Sequence, residues 1–108
     1  KKRDLGEFRA ILGRHVAEGL VVPTERDPFS VSDDRVGPCI HTVNSQFIVP
    51  ITHRAGKVSW ALMLRPGGRL CDVFVTHGWE EGVYEFIDKV CNSWPAGARH
   101  AYCCMLSN

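Results

Sequence analysis

No stretch of the sequence approaches the roughly 20 consecutive apolar residues a helix needs to cross a bilayer, and the first residues lack the apolar centre of a secretory signal. No membrane partner is expected, and a cytosolic or nuclear protein, cytoplasmic by default, is the expectation. A glycine series of the G-x-G-x-x-G or Walker type is also missing, so no backbone phosphate cradle is in view. Charge of one sign is not in excess: 13 Lys and Arg against 12 Asp and Glu leave a formal +1. That balance gives no broad basic field to hold a nucleic-acid backbone. The basic run Lys1-Lys2-Arg3 reads as a solvated flank. Five cysteines make an odd count without the compact framework of a small secreted domain, so reduced thiols are expected. Cys39-x-His41 and Cys103-Cys104 lack the C-x-x-C or H-x-x-x-H spacing that brings two side chains to one zinc, and no metal site is expected.

What is present is the composition of a folded protein, 44% hydrophobic and 23% charged over 108 residues, a length suited to one core. Asp4 and Glu7 have capping-box spacing, and Leu5, Phe8, Leu12, Val16 and Leu20 recur every three or four residues. The pattern predicts an amphipathic helix from Leu5 to Gly19 with Arg9, Arg14 and Glu18 turned outward. Val22 to Pro38 carries Pro23, Pro28, Gly37 and Pro38 and reads as a long loop. Ile40, Val43, Phe47 and Ile48 suit a short helix stopping near Pro50, although their β-branched content also permits a strand.

Arg65-Pro66-Gly67-Gly68-Arg69 is turn chemistry, and the composition changes after it. Leu70 to Thr76, with its Val73-Phe74-Val75 triplet, predicts a strand covered on both faces. Val83, Phe86, Ile87, Val90 and Trp94 predict a helix ended by Pro95 and Gly97. Glu80 and Glu81 would favour its positive end, and Glu85 would pair with Lys89. Ala101 to Leu106 predicts a second strand, with Cys103 and Cys104 on opposite faces as small buried hydrophobes. Strand, helix and strand in this order imply a parallel pair with a right-handed crossover. The fold class expected is therefore α/β. A mainly helical extension over residues 1–64 precedes the first βαβ unit of an incomplete parallel sheet over residues 70–108, because two parallel strands alone cannot cover themselves.

The run Asp72-Val73-Phe74-Val75-Thr76-His77-Gly78-Trp79 resembles the first strand and following loop of TIR-like domains. Protist and algal members often carry a Ser/Thr-His-x-Trp form there. The helix Val83 to Trp94 and the run Ala101 to Leu106 ending in Ser107-Asn108 follow that family's order, so the resemblance covers about the last third of the chain. It implies a flavodoxin-like scaffold for homotypic association, or for association with another TIR-domain protein, in signalling. In some members it implies cleavage of NAD at its nicotinamide bond, which makes NAD a candidate substrate. The family's catalytic Glu lies on a later helix, and no residue here matches it. An unrelated flavodoxin-like domain binding a small ligand would show the same periodicities.

Ligands of open α/β sheets sit outside the carboxyl ends of the strands. His77, Gly78, Trp79, Ser107 and Asn108 are the ligand-site candidates on that ground. His77 could exchange a proton near neutral pH, but more often such a His hydrogen-bonds a neighbouring loop. Trp79 could stack on a nucleotide ring or pack over the sheet edge. Glu80 and Glu81 would repel an incoming phosphate. Cys91 falls on the helix between core positions, and no nucleophile, base and orienter are brought together by spacing.

Overall fold

The computed structural model describes residues 1–56, 58–68, 71 and 73–107. Helix α1 spans Lys2–Ala17 and buries Leu5, Phe8, Leu12 and Val16 along one face. It starts before the expected position because Asp4 is its third residue and not its cap: the Asp4 carboxylate accepts from the Lys1 backbone nitrogen at 3.0 Å and from Arg65 at 3.1 Å. It also stops early. Gly19 takes a left-handed φ of +78°, and the Gly19 and Leu20 N–H groups turn back to the Val16 and His15 carbonyls. This Schellman closure satisfies the last carbonyls, and it turns Leu20 out to solvent while Val21 enters the core.

After the loop, α2 (Ile40–Val43), a π-helical stretch (Asn44–Ile48) and α3 (Val49–Arg54) follow one another directly. The expectation of a helix ending near Pro50 is corrected here. A proline inside an α-helix collides with the carbonyl four residues back, and the wider π turn just before Pro50 relieves that clash, so the chain continues. Helix α4 (Trp60–Leu64) is capped by Ser59, whose Oγ accepts from the Leu62 N–H at 3.2 Å.

Strand β1 (Val73–Val75) pairs in parallel with β2 (Ala101–Cys103), in register Val73 to Ala101, Phe74 to Tyr102 and Val75 to Cys103. Helix α5 (Val83–Asn92) connects them. The order strand, helix, strand is as expected, an arrangement compatible with the α/β class, but two boundaries and the covering of the sheet differ. The first strand is observed only from Val73, and of the residues expected to precede it Leu70 and Asp72 lie outside the described ones. The second strand ends at Cys103, and α6 (Cys104–Ser107) takes over. Met105 and Leu106 are apolar because this helical turn buries them, Leu106 among residues around α4, and an apolar run alone cannot distinguish that from a strand. The adjacent cysteines therefore do not share a strand. Finally, the sheet is not covered on both faces. Val75 and Cys103 pack into the core, whereas Phe74 on the alternate face is 69% exposed.

One hydrophobic cluster runs from Leu5 to Leu106 and takes in α1, the 40–54 helical segment, Trp60, α5 and Cys103. Phe8, Phe47 and Trp60 meet at its centre with ring centroids 5.0–5.5 Å apart. Arg9 is not turned away as expected. Its guanidinium lies 4.8 Å over the Tyr84 ring and bonds Asp88 and the Asp34 carbonyl, joining α1 to α5 and the long loop. Glu85 and Lys89 form the anticipated pair at 3.2 Å, and Glu81 joins it at 3.3 Å.

Candidate functional site

The chain leaves β1 through Thr76, His77, Gly78 and Trp79, and what happens there depends on the distant segment 36–41. Cys39 and Gly82 form an isolated antiparallel bridge. Around it the Ile40 and His41 N–H groups donate to the Glu81 and Trp79 carbonyls, both at 2.9 Å. In return the Val83 and Tyr84 N–H groups donate to the Pro38 and Val36 carbonyls at 2.8 and 3.0 Å. The first two donors of α2 and of α5 are thus consumed by each other's approach loops. Helix starts that would otherwise attract an anion are closed by backbone carbonyls.

The long loop is pinned by short polar contacts. Asp27 accepts from the Cys39 N–H at 2.9 Å, and Gln46 exchanges two hydrogen bonds with the Val22 backbone at 2.8 and 3.0 Å. Asp33 accepts from three successive backbone N–H groups, Arg35, Val36 and Gly37, at 2.9–3.3 Å. Those bonds, led by the one from Arg35, hold its carboxyl below the usual aspartate value.

Together these segments enclose an open cleft of about 1100 Å³ lined by Trp79, Glu80, His41, Glu25, Asp27 and Gln46. Trp79 is 44% exposed, and the His41 ring stands edge-on to it at 6.2 Å. The cleft has aromatic walls and carboxylates on its rim, a chemistry that suits a cationic or neutral polar group better than a phosphate. Trp79 thus lines an open cleft just beyond β1. His77 is held edge-on against Trp79 at 5.0 Å and Phe86 at 5.7 Å. Both of its ring nitrogens are buried and neither meets a hydrogen-bonding partner among the described residues, so the anticipated bond to a neighbouring loop is not seen there. Gly78 is exposed beside them. Ser107 closes α6, four residues beyond the end of β2, and Asn108 lies outside the described residues.

His41, Glu25, Asp27 and Gln46 carried no local signal for this site. They reach it through the Cys39 to Gly82 bridge, a pairing between segments about forty residues apart that no spacing announces. Cys39 is buried with its Sγ 3.4 Å from the Thr42 Oγ1. Burial pushes the Cys103 thiol up to about 11, which keeps it protonated and unreactive at neutral pH. Among the described residues no three His, Cys, Asp or Glu side chains gather as metal ligands, and no helix is long and apolar enough to cross a membrane.

Fold and site together define a chain of mixed helix and strand. It has a two-stranded parallel sheet and an aromatic-walled polar cleft at the sheet's carboxyl edge. No protein-family model matches the sequence, and no match was found among curated proteins or solved structures.

Proposed function

We propose that the chain is an interaction module whose βαβ unit opens a TIR-like, flavodoxin-like fold, and that it associates with a second copy or a TIR-bearing partner through the uncovered face of that sheet. The observation that carries this reading is Phe74. It is 69% exposed and stacks on Tyr102 across the parallel pair, with centroids 5.2 Å apart and planes 10° apart. Parallel sheets bury both faces, and an exposed Phe stacked on a half-buried Tyr on one of them is surface that a partner would cover. The residues Val73-Phe74-Val75-Thr76-His77-Gly78-Trp79 supply the resemblance, and the parallel strand, helix, strand order accords with it.

For NAD cleavage, the alternative, the same edge offers little. The leading N–H groups of α2 and α5 are already bonded, and Glu80, Glu25 and Asp27 on the cleft rim oppose a diphosphate. Sedimentation velocity across the micromolar range tests the association. The protein is expected to dimerise with rising concentration, and Phe74→Ser, at an exposed position, should shift it to monomer without changing its circular dichroism. A wild-type protein that stays monomeric throughout and captures no TIR-bearing protein would remove the reading's main support.

A further inference from the structure

Beside β2, between it and helices α1 and α4, lies a second and quite different space. It measures about 270 Å³ and is walled by Leu5 of α1, Trp60, Ala61 and Leu64 of α4, and Ala101 and Cys103 of β2. Arg65 stands at its margin, but its charge is already met by Asp4 at 3.1 Å, and a second guanidinium nitrogen donates to the Leu64 carbonyl at 3.1 Å. The Trp94 indole, also in the wall, spends its N–H on the Ala98 carbonyl at 2.7 Å and so presents ring surface.

We propose that this cavity is a binding site for a small, flat, uncharged aromatic molecule. Three observations converge on it. The walls are mostly aliphatic and aromatic, with Lys1, Ser59 and His100 as polar exceptions, and of the margin's charges the amino terminus and Arg65 are both already engaged by Asp4, so an occupant meets mainly apolar surface. The space is large for a chain of 108 residues whose core elsewhere is filled by fully enclosed Phe8, Phe47, Leu12 and Ile40. Two residues of its wall, Ala61 and Ala101, are small, which leaves the space open. Size then limits the occupant: a cavity of about 150 Å³ holds benzene, so this one accommodates roughly ten to twelve non-hydrogen atoms, the size of a fused bicyclic ring. Trp60 and Trp94 would meet its faces or edges, and the neutral Cys103 thiol supplies a soft, polarisable contact. Phe74 is not part of this site, but its stacking partner Tyr102 lines it, so Phe74→Ser in the association test and the filling variants below separate the two readings.

The chain contains its own reporters. It has three tryptophans, of which Trp60 and Trp94 line the cavity and Trp79 lies in the other cleft. Indole N–H resonances of the 15N-labelled protein, assigned with Trp79→Phe, would be followed while unlabelled 5-fluoroindole is added and its own 19F signal recorded. Saturable shifts at Trp60 and Trp94, with Trp79 unmoved and a dissociation constant in the micromolar to low millimolar range, are the expected result. Ala61→Phe and Ala101→Leu, which fill the space from two sides, should weaken that binding at least tenfold. The proposal is overturned if wild type shows no saturable shift, or if all three indoles move together. It is equally overturned if a filling variant that retains its fold binds the probe unchanged, or if filling merely raises the melting temperature of a protein that never bound it.

Discussion

At Gly82 the structure tolerates no side chain. A β-carbon there would stand 2.5 Å from the Val36 carbonyl oxygen and would also strike the Val36 side chain, and the oxygen is backbone engaged with the Tyr84 N–H. Gly82→Ala must therefore push two loops apart, and we expect it to cost about 2–3 kcal/mol in urea unfolding, at the upper end of overpacking effects. Asp33 acts at the same junction by electrostatics. Its carboxyl titrates lower in the folded chain than its ordinary 3.8, so the order it lends to residues 35–37 is fully present above that value. That order is lost as pH falls through the lowered folded value. Hydrogen exchange should show the Gly37 amide losing protection in that acidic window, and Asp33→Asn should lack protection at every pH. Protection of Gly37 that ignores both pH and the substitution would contradict this role.

The helix boundaries are governed by individual closures, and α1 illustrates how. Its Schellman turn needs Gly19 at a φ of +78°, a conformation that costs a residue with a β-carbon about 1 kcal/mol. Gly19→Ala should lower the denaturation midpoint by a corresponding amount with an unchanged slope, because no side chain touches that position. The buried faces of α1 and α5 and the order of the βαβ unit were legible in the sequence, because apolar residues recurring every three or four positions and a continuous apolar triplet leave few alternatives. Pro50 misled because its usual effect is cancelled by a π turn, which has no local sequence mark. Met105 and Leu106 misled because a buried helical turn and a buried strand use the same residues. Of the cleft, Trp79 could be anticipated from its position after β1, whereas His41, Asp27 and Gln46 are delivered by a long-range backbone bridge.

Across the whole molecule, residues 1–64 and the βαβ unit share one hydrophobic cluster and are tied by Arg9 and by the exchanged bonds between 36–41 and 79–84. Those four bonds span about forty residues of chain, and the connection between α3 and α4, where Ala55, Gly56 and Val58 are exposed, lies inside the span. Continuity of the polypeptide at that connection is therefore expected to be dispensable for holding the two sides together. Brief trypsin treatment cutting after the exposed Arg54 should give a nicked species that still migrates as one particle under native conditions and separates into two pieces only in denaturant. Separation without denaturant would mean the exchanged bonds and the shared core are too weak to hold the halves. The same seam would let the protein be made as two separate polypeptides, each inert alone, that reconstitute when mixed.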